Sequence, residues 1–209
     1  MRFVTLSNDT IYEIGLLSAM WIVMMAIMML PATVPWLIAI RKLSTGSPIR
    51  TATTFLGGYL FIWMLFSLGA AVMQHLLHKT ALTSRMGVPV TPYIGAALLA
   101  LAGLFQLTEL KRRCLAHCQS PVSFFLSRWR DGPLGALQMG AHHGIYCLGC
   151  CWALMLLAFV SGVMNLVWMV GITVYVFVDQ AILKSPTLTT ASGFLLLGCS
   201  AWILVAMQH

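Results

Sequence analysis

The sequence predicts an all-α fold, a polytopic membrane helix bundle with about six transmembrane helices. Of its 209 residues, 60% are hydrophobic and only 8% are charged, and the mean hydropathy is +0.90. Soluble domains carry about 25% charged residues. Several runs of about 18 or more apolar residues are each long enough to cross a bilayer. No long repeat or soluble domain interrupts them, so residues 1–209 are expected to form a single integral membrane domain.

Taken in chain order, the apolar segments expected to span the membrane are about 15–40, 53–77, 93–110, 134–159, 163–183 and 191–207. Pro31 and Pro35 should kink or end the first helix, because proline lacks the N–H group that a helix requires. The stretch 122–131, rich in aromatic residues and arginine, suits a position among the lipid headgroups. Cys199, alone in the sixth segment, is expected to be a buried packing residue.

The fourth segment contains the densest group of chemically reactive side chains, within the sequence GAHHGIYCLGCCWALM at 140–155. A helix places four of them on one face, while His142 points away: His143, Cys147, Cys150 and Cys151. The small residues Ala136, Gly140 and Gly144 lie in the same sector and would let another helix approach closely. Polar groups at bilayer depth are functional candidates by default, so this face is predicted to bind a ligand.

Two further sets of soft side chains could contribute ligands. Met24 and Met28 lie one turn apart in the first segment, although methionine is also a common gap-filler in apolar helices. Cys114 and Cys118 are four residues apart, a spacing that can chelate a metal but is poor for a disulfide. The predicted metal ligands are therefore His143, Cys147, Cys150, Cys151, Cys114, Cys118, Met24 and Met28, with the Met24–Met28 helix as the first choice for the neighbour of the cysteine face.

The basic residues predict an orientation. Nine follow the first, third and fifth segments: Arg41, Lys42, Arg50, Lys111, Arg112, Arg113, Arg128, Arg130 and Lys184. The other three are Arg2, Lys79 and Arg85. The positive-inside rule then places both termini outside the cytoplasm, with Cys147 near mid-bilayer and Cys114 and Cys118 at the cytoplasmic rim. The net charge of +7 reports topology and lipid contact more than nucleic-acid binding.

Three stretches carry a family resemblance: MMLP in the first segment, GLFQLTELKRRCLAHC followed by Pro121, and HHGIYCLGCCWALM followed by GVMNLVWM. From about Trp21 to Asp179 the chain resembles a bacterial family of predicted metal-binding integral membrane proteins of unknown function. The resemblance implies six spans in the bacterial inner membrane and a bound metal, but no reaction. That family closes the fifth segment with an acidic residue followed by lysine. Here the pair is Asp179–Gln180, which weakens any role for that pair.

Thiolate, thioether and imidazole ligands together select soft ions, Cu(I) first and Zn(II) second. Desolvation also favours Cu(I), because a monovalent ion on few thiolates leaves little net charge in an apolar setting. The leading hypothesis is therefore a copper-binding membrane protein that transports, buffers or delivers the metal ion to a protein partner.

Two other classes of function stay open. The chain could be a membrane thiol oxidoreductase with Cys147 and Cys150 as its redox pair. It could also be a structural subunit of a larger membrane complex, its cysteines merely buried. No second exposed cysteine pair is obvious on the outer side to pass electrons to a substrate. A role other than catalysis is therefore favoured.

Overall fold

The computed structural model of the chain describes residues 8–44, 47–80, 91–162, 165–182 and 186–207. Its regular secondary structure within these ranges is entirely helical, which confirms the all-α class. The helices are α1 (Asn8–Leu43), α2 (Pro48–Lys79), α3 (Pro92–Gln106), α4 (Glu109–Cys118), α5 (Pro121–Arg128), α6 (Gly132–Met155), α7 (Ala158–Ser161), α8 (Leu166–Phe177), a π-helical segment (Val178–Ile182) and α9 (Pro186–Ala206). The predicted boundaries at 163 and 183 lie outside the described residues, as do Arg2, Arg85 and Lys184.

Four helical stretches of the described chain are long and apolar enough to cross a membrane: Thr10–Leu43, Pro48–Lys79, Gly132–Val160 and Pro186–Ala206. The helices α3 and α4 make a fifth span only if they count as one, although they are bent by 66° to each other. The apolar stretch Leu166–Ile182 is shorter than these. By length and composition the described residues therefore contain four or five such helices, whereas the sequence predicted about six.

The first helix is longer than predicted, because it runs through both prolines to Leu43. Pro31 and Pro35 therefore do not end it. Each proline removes one backbone hydrogen bond, and helices packed within an apolar bundle tolerate that loss.

The third predicted segment is broken near its end. Helix α3 stops at Gln106, and the Thr108 side chain caps α4 by accepting a hydrogen bond from the Lys111 backbone N–H at 3.2 Å. Threonine is a preferred residue at this position, and Glu109 in the first turn favours a helix N-terminus electrostatically. The chain therefore turns here, and α4 packs back against α6.

The closest helix contact described is that between α2 and α6, where glycines allow the backbones to touch. A Cβ atom on Gly58 would overlap the Leu137 carbonyl oxygen, and one on Gly140 would overlap the Phe55 carbonyl oxygen. Helix α2 thus packs against the face of α6 that contains Ala136, Gly140 and Gly144. The prediction that the Met24–Met28 helix lies there is wrong, since α1 packs mainly on α2.

Helices α3 and α9 form a second close pair. A Cβ on Gly103 would lie 2.9 Å from the Gly193 carbonyl oxygen, and the Ser200 hydroxyl donates to the Ala96 carbonyl oxygen at 2.8 Å. Gly193 and Ser200, seven residues apart, define the packed face of α9. Cys199 lies off that face and is exposed, so the prediction that it is buried is wrong.

The α2–α6 contact predicts opposite effects for two adjacent glycines. Gly58→Ala should destabilise the protein by about 1–3 kcal/mol or more, because the added methyl group meets backbone that cannot move aside. Gly57→Ala is the matched control, since nothing lies within 4 Å of a Cβ there, and it should be neutral or stabilise by up to about 1 kcal/mol. Melting temperatures of the purified variants measure the difference. Equal melting temperatures would contradict the described packing.

Candidate metal site

The cysteine face of α6 is fully buried, as predicted, and includes His143, Cys147, Cys150 and Cys151. Two of its thiols make hydrogen bonds within the helix. The Cys150 Sγ donates to the Cys147 carbonyl oxygen at 3.1 Å, and the Cys151 Sγ donates to the same oxygen at 2.9 Å. The three sulfur atoms are thereby fixed around one turn of α6.

Helix α4 adds two more thiols to this face. The Cys118 Sγ lies 3.9 Å from the Cys150 Sγ. The Cys114 Sγ packs over Gly149, where a Cβ atom would lie only 3.0 Å from it. The two cysteine groups were expected at different depths in the membrane. The bend after α3 brings one thiol of α4 next to the thiols of α6, and the depth of either group in the membrane stays a prediction.

The π-helical segment supplies a polar partner for the thiols. The Gln180 Nε2 lies 3.2 Å from the Cys150 Sγ and 3.6 Å from the Cys147 Sγ. On the other side, the Tyr59 hydroxyl of α2 lies 3.3 Å from the Cys147 Sγ. Gln180 carried little weight in the sequence prediction, whereas in the structure its amide lies between the thiols of two candidate ligands. Single π-helical turns often occur at functional sites.

A buried ion pair fixes the π-helical segment to α4. The Lys111 Nζ lies 3.0 Å from the Asp179 Oδ2, and each side chain is only 1% exposed. The Thr189 hydroxyl donates to the other carboxylate oxygen at 2.9 Å. Lys111 is therefore not an exposed loop charge, as the orientation argument took it to be, and Asp179 is its buried partner.

Sequence reasoning missed this pair, although one signal for it existed. Lys111, Cys114 and Cys118 recur at intervals of three and four residues, so they share one face of a helix. That spacing places a lysine on the same buried face as two thiols. Its partner, Asp179, lies 68 residues further along the chain and cannot be identified by spacing.

The His143 imidazole is buried and has no hydrogen-bond partner on either ring nitrogen within the described chain. It stacks on Trp36, with ring centroids 3.7 Å apart. The Trp36 Nε1 in turn donates to the Cys118 carbonyl oxygen at 3.1 Å, which connects α1 to α4. A buried polar atom without a partner is costly, and a metal ion would satisfy one of these nitrogens.

Met24 and Met28 are buried in the same apolar cluster as the cysteines. Their place as thioether ligands stays a prediction. No three His, Cys, Asp or Glu side chains of the described ranges converge on a point where they could hold a metal ion. Two thiols from different helices do approach each other, those of Cys118 and Cys150. With metal–sulfur bonds of about 2.3 Å, sulfur atoms 3.9 Å apart can both reach one ion.

Comparison with protein families gives a match to a family described as PpoB2, copper chaperone, over residues 18–203. The matched region contains α4, α6 and the π-helical segment, hence every residue of the candidate site. Comparisons with curated proteins and with solved structures give no match. Because the family match covers most of the chain, this protein belongs to the PpoB2 copper chaperone family.

Proposed function

We propose that this protein is an integral membrane copper(I) chaperone, which binds Cu(I) among the thiols of α4 and α6 and delivers it to a protein partner. The observation that carries the proposal is the approach of the Cys118 and Cys150 sulfur atoms from two different helices. The copper-related family supports the choice of metal. Soft thiolate ligands, which favour Cu(I), support it independently.

The arrangement suits Cu(I) better than zinc. Structural zinc sites take four protein ligands in a tetrahedron, whereas Cu(I) is satisfied by two or three soft ligands. Two thiolates and one Cu(I) ion carry a single net negative charge. Further thiolates would add charge to an apolar interior, where desolvation is costly. We infer that Cys118 and Cys150 are the two primary ligands and that Cys147, whose thiol contacts the same glutamine, supports the site without adding a third thiolate.

The remaining predicted ligands have supporting parts in this proposal. The unpartnered nitrogens of His143 make it the first candidate for an imidazole ligand. Cys151 and Cys114 lie on the same buried surface, where either can receive the ion during transfer. Met24 and Met28 provide soft, polarisable packing around it.

The burial of the thiols also bears on the oxidoreductase alternative. A redox pair exchanges electrons with its substrate through a thiolate that the substrate can reach. Cys147 and Cys150 are both 0% exposed, so a protein substrate has no access to them. A buried pair that accepts a small metal ion needs no such access. Metal content separates copper binding from the third class, a purely structural subunit.

Removal of a primary ligand should abolish most copper binding. Cys118→Ser and Cys150→Ser should each lower Cu(I) affinity by more than about 100-fold, since a hydroxyl is a poor ligand for a soft ion. Cys147→Ser and His143→Ala should weaken binding less. Copper content of anaerobically purified, monodisperse protein is the measurement.

Cys199→Ser is the matched control, because this thiol is exposed and lies on α9, outside the thiol group of α4 and α6. It should retain full copper content. Undiminished copper in both Cys118→Ser and Cys150→Ser would remove the site from this place.

The ion pair predicts that the stability of the protein and its affinity for Cu(I) respond differently to substitution of one or both partners. Lys111→Met should destabilise the protein by about 3–5 kcal/mol, because Asp179 is left charged and buried. Lys111→Met combined with Asp179→Asn should recover most of that stability while Cu(I) affinity stays about 10–100-fold lower, since Gln180 is no longer held in place. Melting temperature and copper titration measure the two effects. A double variant as unstable as the single one would contradict this account.

The proposal includes a location in the bacterial inner membrane with both termini outside the cytoplasm. Without Lys111, eight basic residues still follow the first, third and fifth predicted segments, and three lie in the N-terminal segment and the remaining loops. The positive-inside rule therefore gives the same orientation. A fluorescent reporter that matures only in the cytoplasm should stay dark when fused after His209 and should fluoresce when fused after Ser44. The reverse pattern would refute this orientation.

A further inference from the structure

A surface cavity of about 500 Å³ lies between α5 and the first half of α6. The side chains that matter for its chemistry are those of Arg128, Arg130, Gln138, Met139 and His142. Its volume falls within the range of about 300–1,000 Å³ that is usual for small-molecule sites. The copper site described above does not use it.

The cavity is positively charged. Neither Arg128 nor Arg130 forms an ion pair with a carboxylate of the described chain. Arg130 donates to the Gln138 amide oxygen, and the Arg128 Nη1 donates to the His142 Nε2 at 3.0 Å. The nearby Asp131 carboxylate accepts from the Trp129 Nε1 at 2.8 Å instead. Two unpaired guanidinium groups beside one cavity select an anion, and planar carboxylates match them best.

The same cavity also has soft ligands. His142 and Met139 are three residues apart on α6 and offer an imidazole and a thioether. The His142 ring lies 5.6 Å from the His117 ring, whose Nε2 is buried and without a hydrogen-bond partner among the described residues. Imidazole and thioether groups bind soft metal ions, and a simple phosphate or lipid headgroup would make no use of them.

A ligand that would use both the guanidinium groups and the soft side chains of this cavity is an anion that carries a soft cation. On the basis of the proposed function, we propose that this cavity receives Cu(I) as an anionic complex with a small thiol that bears carboxylates. Arg128 and Arg130 bind the carboxylates, and His142 with Met139 accepts the ion. His143 follows His142 directly in the chain, and Cys147 lies one turn further toward the thiol cluster.

The contact between Arg128 and His142 links binding of the copper carrier to transfer of its Cu(I) ion. A guanidinium has only donors, so the Nε2 of His142 is the acceptor and its lone pair is engaged. A carboxylate that draws Arg128 away frees this lone pair. The bond between copper and the carrier's sulfur then breaks as the bond to Nε2 forms. The released thiolate takes a proton from water, and copper remains Cu(I), so no electron is transferred.

The test compares two copper donors on the full-length protein purified in detergent without oxygen. One donor is the Cu(I) complex of glutathione, which is anionic, and the other is the Cu(I) complex of acetonitrile, which carries no carboxylate. The combined variant Arg128→Gln, Arg130→Gln should take copper from the glutathione complex about tenfold more slowly, because the attracting charge is gone. From the acetonitrile complex its rate should be unchanged or higher, and its final copper content should equal that of the native protein.

The matched control is Arg41→Gln combined with Arg113→Gln, which removes two exposed charges that do not line the cavity. It should behave as the native protein with both donors. Equal slowing with both donors, or no slowing at all, would overturn the inference while leaving the thiol site intact. An unchanged rate together with lost binding of anionic phospholipid would assign the cavity to lipid headgroups. Native protein that takes no copper from either donor would instead refute the proposed function and this inference with it.

Discussion

The ion pair between Lys111 and Asp179 determines how the candidate site is assembled. Both charges are withdrawn from solvent, where an unpaired ion would cost several kcal/mol. Neither partner can therefore move away from the other without a large loss of stability. Because Lys111 lies on α4 and Asp179 in the π-helical segment, the pair holds Cys118 and Gln180 against the thiols of α6.

The close contact between α2 and α6 supports the site from the opposite side. Gly58 and Gly140 allow the two backbones to meet, and this brings the Tyr59 hydroxyl to 3.3 Å from the Cys147 Sγ. A bulkier residue at either glycine would displace α2 and the tyrosine with it. The thiol cluster is thus enclosed by a backbone contact on one side and by an ion pair on the other. Few side-chain motions are left to its residues.

The sequence predicted what depends on local pattern. Apolar composition identified the helical class, and helical periodicity identified the buried face that contains Cys147 and Cys150. It failed where distant segments meet. Whether Asp179 faces Lys111, and whether Cys118 reaches Cys150, depends on a bend of 66° between α3 and α4, which an apolar run does not reveal. The same limit explains Cys199, whose exposure is decided by the face that α9 presents to α3.

The two thiols that point at the Cys147 carbonyl oxygen have a consequence for the acidity of the surrounding solution. Cys150 and Cys151 can donate to this oxygen only while they retain their hydrogens. A thiol that becomes a metal ligand gives up its hydrogen. Loading with copper therefore releases protons and leaves the Cys147 carbonyl oxygen with fewer hydrogen-bond donors. The loss of these hydrogen bonds should raise the C=O stretching frequency in the infrared spectrum. Acidification would favour release of the ion, and the carbonyl would report in the same spectrum whether the protein is loaded or empty.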